Sequence, residues 1–469
     1  MRLLRRSRRS TVAGPGLLLL TRAADRGLLW LSIAAALGLG GGRRPRRAAL
    51  RGVFGVALAA AVANGPLKLA FRSPRPAAAR LLGHLPGFPH ESTTSFPSGH
   101  TAAGFAFAVG AGQEVPALAA PLVGLAALVG YSRVHAGVHR RSDALAGAAV
   151  GVGAGLVTRR LWPVAPHEPA QVRTALARAE VEPSPAGKGV AIVVNPSAGS
   201  SERAAEELRA ELPEAQVIEL AEGDDLQDAL RAASERGCVL GVVGGDGSVN
   251  TAAELAAGDE KPMLVVPGGT LNHFAYALGL DSIADAASAV RDGRAAAVDR
   301  ALIDGHTFVN TASIGSYVEL VDARETLEGR IGKWPAVVVA LWGVLRRSEP
   351  IELELDGVRR KVWMIFVGNC RYDPPGFAPS WRERLDDGQL DIRIVDGTQP
   401  WSRARLLLSV LTGRLANCGA YEQRYVRRME VRSLAGPLRL ARDGETFDGP
   451  EEFTICKADD PLLVYVPEE

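Results

Sequence analysis

The first third of the chain alternates long apolar stretches with short charged ones. Runs rich in Ala, Gly, Leu and Val lie at roughly 28–41, 50–67, 101–113, 115–131 and 143–158, and each predicts a helix. Several are shorter than the ~20 residues of a simple membrane span, so some must tilt or borrow flanking residues. The charges between them favour a membrane bundle over a soluble all-α domain. If the Arg-rich loop at 43–51 faces the cytoplasm, the next helix delivers residues 68–100 to the outer face. Two further segments return the chain to that face near residue 132, and the last helix re-enters and stops at Thr158-Arg159-Arg160. The opening MRLLRRSRRS and its short GLLLL run lack the apolar length of a signal peptide and predict an interfacial or re-entrant helix.

The pattern changes near residue 160. LWPVAPHEPAQVRTALARAEVEPSPAGK, residues 161–188, reads as a linker. Val-rich runs then end in glycines or polar turns: VAIVVN (190–195), CVLGVVGG (238–245) and PMLVVPGG (262–269), with helical segments between. This is the alternation of an α/β nucleotide-binding sheet. From about 350, IELELDG, KVWMIFVGN, LDIRIVD, YVRRMEVRSL, LRLARDGE and FTICKADDPLLVYV predict strands. The expected fold is thus an N-terminal α-helical transmembrane bundle (1–160), a linker (161–188) and a second domain (189–469). That domain divides into an α/β lobe (189–300) and a β-rich, sandwich-like lobe (301–469) taken as lipid-binding.

Composition adds exclusions. With 47% hydrophobic residues, 23% charged residues and a formal charge of +2, the chain does not read as a nucleic-acid binder. Cys238, Cys370, Cys418 and Cys456 form no CxxC pair, which argues against a zinc ribbon or disulfide framework and for reduced cytoplasmic thiols.

In the predicted topology three charged clusters share one membrane face: Lys68 with Arg75-Pro76, Pro97-Ser98-Gly99-His100, and Ser132-Arg133 with His139 and Asp143. In order and spacing they resemble the type 2 phosphatidic acid phosphatase superfamily over about 75 residues. A phosphoryl group in its transition state spreads negative charge over three oxygens, which fixed cations and N–H donors stabilise. Lys68, Arg75 and Arg133 supply cations; Ser98 and Gly99, at an expected helix start, supply donors. The resemblance implies His139 as nucleophile, Asp143 one helical turn on as the group that holds its ring, and His100 as the acid for the departing alkoxide, with no metal. Singly, each has a plainer reading as a solvated His, a turn or a membrane-end anchor.

The second domain carries Asn195-Pro-Ser197-Ala-Gly199, Gly244-Gly245-Asp246-Gly247-Ser248 and Pro267-Gly268-Gly269-Thr270-Leu-Asn272-His273 at strand ends, where glycine turns let backbone amides approach phosphates. No GxGxxG follows the first strand, which argues against an NAD-type domain. The ordered set resembles the diacylglycerol kinase catalytic family, and the likeness extends to Asn310, Ser313-Ile314-Gly315, Val367-Gly368-Asn369, Asp386-Asp387-Gly388, Asp391 and Asp443-Gly444-Glu445. It implies that Asn195, Ser197, Gly245, Asp246, Gly247, Gly268, Thr270, Asn272 and Glu445 hold ATP, that Asp246 lies near a catalytic Mg2+, that Asp443 is the base for a lipid hydroxyl, and that Asp387 binds a structural Mg2+. DDG is also an ordinary turn. Ser248 stands where the family usually has Thr, and His273 where many relatives have Asp.

One activity removes a lipid phosphate and the other adds one. Opposite sidedness reconciles them, with the phosphatase site extracytoplasmic and the ATP-dependent domain cytoplasmic. Phosphatidate, lysophosphatidate or polyprenyl (pyro)phosphates suit the first site; diacylglycerol, a sphingoid base or a polyprenol suits the second. A lipid-sensing scaffold with one inactive domain is the non-catalytic alternative, and oligomeric state is not legible.

Overall fold

The computed structural model describes residues 23–24, 27–40, 42–71, 73–74, 94–164, 168–172, 184–196, 201–221, 223–269, 272–316, 318, 349–374, 381–398, 405, 409 and 418–467. The expected N-terminal interfacial helix lies outside them. The chain divides into two compact units, Met1–Ala165 and Pro166–Glu469.

The first unit is a helical bundle. Its helices are Leu28–Gly40, Arg43–Val62, Gly99–Glu114, Ala119–His135 and Arg141–Leu161. The second continues through a π turn containing Pro66 to a final turn, Lys68–Ala70. Gly99–Glu114 is the central helix and packs against the second, fourth and fifth. It can be central because its buried positions are mostly small: Thr101, Ala102, Gly104, Ala106, Ala108, Gly110 and Ala111. The last helix answers with glycine at the contact. A Cβ on Gly151 would stand 2.3 Å from Ala102 O, and one on Gly147 2.4 Å from Ser98 O. Such backbone approach supplies the dense packing that membrane helices rely on. Gly151→Val is expected to cost about 1–3 kcal/mol by overpacking, seen as a lower thermal midpoint in detergent.

Among the described residues, three helices are long and apolar enough to cross a membrane: Arg43–Ala70, Pro116–His135 and Arg141–Leu161. The expected Arg-rich loop at 43–51 is instead the start of the second helix. Arg51 is fully buried there and pairs with Glu114 at 2.6 Å, while Arg47 and Arg51 both donate to Pro163 O at 3.0 Å. A distant carboxylate made burial of that guanidinium affordable, and no local pattern announces it.

The second unit holds two large sheets. Strands β1 (Val190–Val194), β2 (Gln216–Glu219), β3 (Val239–Gly244), β4 (Met263–Pro267) and β5 (Ala295–Val298) belong to the first. The first four are parallel in the order β2-β1-β3-β4, and β1, β3 and most of β4 are buried, as covered parallel strands require. The other sheet has eleven strands, is antiparallel and curls into a β-rich lobe around its own core. The chain's last strand, Leu462–Tyr465, leaves that lobe and enters the first sheet, parallel to β4 and antiparallel to β5. The lobe expected to run to residue 469 therefore ends earlier, because strand order is set by long-range pairing. Within the expected linker, Ala170 N and Gln171 N donate to Ala277 O and Glu383 O at 2.9 and 2.7 Å, and Ser184 N to Val290 O at 3.1 Å.

Candidate functional site

In the helical unit, the turn after Ala119–His135 closes by bonds from Val138 N and His139 N to Arg133 O, at 3.1 and 3.3 Å. His139 Nδ1 then stands 3.7 Å from Asp143 Oδ2, in the first turn of the last helix. Ser95 Oγ donates to the same Oδ2 and lies 3.5 Å from His139 Nδ1. Arg140 N donates to Asp143 Oδ2 at 2.9 Å, and Ser98 N to Asp143 O at 2.9 Å. Arg133, His139, Asp143, Ser95 and Ser98 are all buried. Ser73, five residues beyond Lys68, accepts from Ser95 N at 2.9 Å and from Arg140 Nη1 at 3.3 Å. The second and third clusters therefore meet at one end of the bundle, with Ser73, from the segment after Lys68, beside them.

In the second unit, Asp443 and Gly444 are the two turn residues of the hairpin Leu438–Arg442/Glu445–Gly449, with φ of 45° and 91°. Asp-Gly suits such a turn, but this one is drawn into the interior. Asp443 accepts from Val309 N, Asn310 N and Thr311 N at 2.8, 2.9 and 2.7 Å. Burial pushes its carboxyl up to about 7 despite those three donors, and the Asp246 charge adds to the rise. Asn310 links the two acids, since its Nδ2 donates to Asp246 Oδ1 at 3.1 Å. Asp246 also accepts from His273 N and Phe274 N, each at 3.1 Å. Asp246 and Asp443 thus share Asn310 as a common hydrogen-bond partner.

The glycine turns meet beside this pair of acids. A Cβ on Gly269 would lie 2.4 Å from Gly245 Cα, and one on Gly247 2.6 Å from Glu445 Oε1. Side chains at these positions would collide, so glycine alone permits this close approach. Asn195 Nδ2 donates to Ser248 Oγ at 2.8 Å.

Residues 189–303 match the family model described as Diacylglycerol kinase catalytic domain, and residues 48–165 the one described as PAP2 superfamily. The diacylglycerol kinase of Bacillus subtilis is 30% identical over 234 residues, covering 48% of this chain and 76% of that protein. This chain joins a PAP2 superfamily domain to a diacylglycerol kinase catalytic domain. The diacylglycerol kinase of Staphylococcus aureus is 28% identical over 303 residues, 60% of this chain and 93% of its own. The solved Aquifex aeolicus LpxE aligns with a TM-score of 0.25 at 28% identity, over 30% of this chain and 82% of that one. With these two domains the chain is a bifunctional membrane protein of the lipid phosphatase and lipid kinase types, and the kinase domain implies ATP.

In the PAP2 domain, Lys68 is half-buried in the last turn of its helix, Gly99 and His100 open the central helix, and Ser98 precedes it; Arg75 lies outside the described residues. In the kinase domain, Ser197 and Thr270 lie outside them. Asn195, Gly245, Asp246, Gly247, Gly268 and Glu445 lie at or beside the strand ends of β1, β3 and β4 and the hairpin that faces them. Asn272 does something more specific than expected: its Oδ1 accepts from Gly269 N and its Nδ2 donates to Gly269 O, both at 2.8 Å, closing the glycine turn. Ser248 keeps the hydroxyl that Asn195 meets, and residue 273 contributes its backbone N–H to Asp246. Asp387 Oδ2 and Oδ1 accept from Arg371 N and Gln389 N at 2.9 and 2.8 Å.

Two contributors escaped the sequence reading. Arg382 is buried and donates to Val309 O and Asn310 Oδ1 at 2.7 and 2.8 Å, bracing the segment that cradles Asp443. Nothing in its local WRER context marks it. Ser95, two residues before Pro97, holds the Asp143 carboxylate, and only its closeness to the motif could have drawn notice. A hydrogen bond to a charged group contributes about 1.5–3 kcal/mol, so Ser95→Ala is expected to slow lipid-phosphate hydrolysis by about 10–100-fold with ATP-dependent lipid phosphorylation unchanged, measured on one preparation.

Proposed function

We propose that the PAP2 domain hydrolyses a lipid phosphate through a phosphohistidine on His139, and that the kinase domain transfers the γ-phosphate of ATP to a lipid hydroxyl such as that of diacylglycerol. The observation that carries the first half is the buried set of His139, Ser95 and Asp143. A neutral His139 whose Nδ1–H points to Asp143 presents Nε2 as nucleophile, and the carboxylate offsets the imidazolium charge that forms. Nε2 bonds to phosphorus as the ester P–O bond breaks, and His100 gives its proton to the leaving alkoxide. Water then attacks the phosphohistidine, losing its proton to His100, and inorganic phosphate leaves.

For the kinase half, support comes from the Asn310 bridge between Asp246 and Asp443. Asp443 takes the hydroxyl proton as the lipid oxygen bonds to the γ-phosphorus and ADP departs. Its pKa near 7 suits a base at neutral pH. The Gly245, Gly247 and Gly269 turns cradle the phosphates. Asp246 makes three hydrogen bonds, so its four lone-pair positions leave room for one more partner; a Mg2+ held there would offset phosphate charge. The basic ends of the helical segments support a kinase domain inside the cell and a PAP2 site outside, acting on opposite leaflets.

The test uses full-length protein in mixed micelles, with radiolabelled ATP against a lipid panel and, separately, radiolabelled lipid phosphate followed by rapid quench. The expected results are a labelled lipid product and an acid-labile, alkali-stable phosphoenzyme. Turnover of lipid phosphate with no such phosphoenzyme in wild type or in His100→Ala would exclude the covalent route.

A further inference from the structure

Below the Asp443 cradle lies a second acidic pocket. Asp299, Cys370 and Asp387 present ligand-type atoms within 4.8 Å of one another, in the region where the family resemblance implied a structural Mg2+. The pocket already contains a cation. Lys457, 7% exposed at the end of the Glu452–Lys457 strand, reaches in. Its Nζ stands 2.8 Å from Asp299 Oδ2, 2.5 Å from Asn369 Oδ1 and 3.5 Å from Cys370 Sγ.

Backbone donors also occupy part of the carboxylate lone pairs. Asp299 Oδ2 accepts from Gly388 N at 2.7 Å and meets Cys370 Sγ at 3.5 Å. Asp387 uses one oxygen each for Arg371 N and Gln389 N. A divalent ion entering here would sit against a fixed ammonium that already bridges Asp299 Oδ2, Asn369 Oδ1 and Cys370 Sγ, so these residues do not fit a metal while Lys457 is present. The pocket also bears on the site above it. Asn369, held by Lys457, donates through Nδ2 to Val309 O at 3.0 Å and to Asp299 O at 2.8 Å, and Val309 N is one of the three donors to Asp443.

We propose that the Lys457 ammonium is the built-in cation of this pocket, standing where a structural divalent ion would bind and fixing the Asn369–Val309 support of Asp443 without a metal. Lys457 is a positioning residue in this scheme. Occupancy of the pocket is read without turnover, so the inference can fail while the kinase reading stands, and the reverse.

The test uses full-length protein in detergent without nucleotide. Cd2+ is the probe, because a soft ion reports its own thiolate bond by ultraviolet absorption. Wild type is expected to give no Cys370-dependent band. Lys457→Ala removes the resident cation and is expected to bind one Cd2+ per chain, at least tenfold more tightly than wild type, with a band that Cys370→Ser abolishes in the same background. A folded Lys457→Ala that gains no band overturns the proposal, as does a Cys370-dependent band of equal affinity in wild type. If Lys457→Ala does not fold, the wild type decides. Mg2+ and EDTA are then expected to leave its thermal midpoint unchanged, and a Mg2+ stabilisation lost in Asp387→Asn overturns the proposal.

Discussion

Asp443→Asn is expected to lower ATP-dependent lipid phosphorylation by about 10²–10⁴-fold, while lipid-phosphate hydrolysis by the same preparation keeps its wild-type rate. The amide matches the carboxylate in size and can still accept from part of the Val309–Thr311 segment, but it cannot take the hydroxyl proton. Wild-type kcat/KM should show an acid limb centred near pH 7, because burial first, and Asp246 nearby, push the Asp443 carboxyl up to about 7. Activity rises through that pH as the basic form appears and then levels off. A limb centred near the ordinary carboxylate value of about 4 would show that Asp443 is not the titrating base. Stability supplies a second check. A carboxyl whose folded pKa is raised holds its proton where the unfolded chain has lost it. Its stabilising contribution is therefore complete below about pH 4 and is lost as pH rises through about 7. The thermal midpoint of Asp443→Asn, taken relative to wild type, should accordingly rise between ~pH 4 and ~pH 7 and level off above, a trend that loss of activity through unfolding would not produce.

What could be read from the sequence was local. VAIVVN, CVLGVVGG and PMLVVPGG become β1, β3 and β4, because covered parallel strands must be continuous apolar runs and the turns beyond them must be glycine wherever backbones nearly touch, as at Gly245 and Gly269. The apolar stretches of the first third became helices for the same local reason. What escaped depended on partners far away in the chain. Arg51 looked like part of a basic loop until Glu114 was opposite it, and the final strand looked like one more element of the β lobe until β4 and β5 were beside it. Ser95, Arg382 and Lys457 share this character. Each is a polar residue with no motif of its own, buried because a group dozens of residues distant completes it. The motifs name His139 and Asp143, whereas the partners that brace such residues from distant stretches of chain are visible only in the fold. Asn272 shows the boundary between the two, since it sits inside a motif yet uses its amide to close the turn that presents the backbone.

The complementary experiment removes the proposed nucleophile. His139→Ala is expected to abolish lipid-phosphate release, a loss of at least ~10⁴-fold as for nucleophiles that act as part of a unit, with lipid kinase turnover intact. The variant leaves Asp143 with Ser95 Oγ and Arg140 N as partners, so the carboxylate stays satisfied and the bundle should keep its thermal midpoint. That separates the residue from its neighbours. Asp143→Asn leaves a nucleophile but loses the charge that orients and stabilises its ring, so it should retain measurable hydrolysis above the His139→Ala background, with Ser95→Ala milder still. The order His139→Ala, Asp143→Asn, Ser95→Ala in falling severity follows from which atom meets phosphorus, which meets that histidine, and which meets the carboxylate. If Ser95→Ala and Asp143→Asn proved as inactive as His139→Ala while folded, the three residues would have to act on phosphate directly, and the arrangement around Asp143 would need a different chemistry.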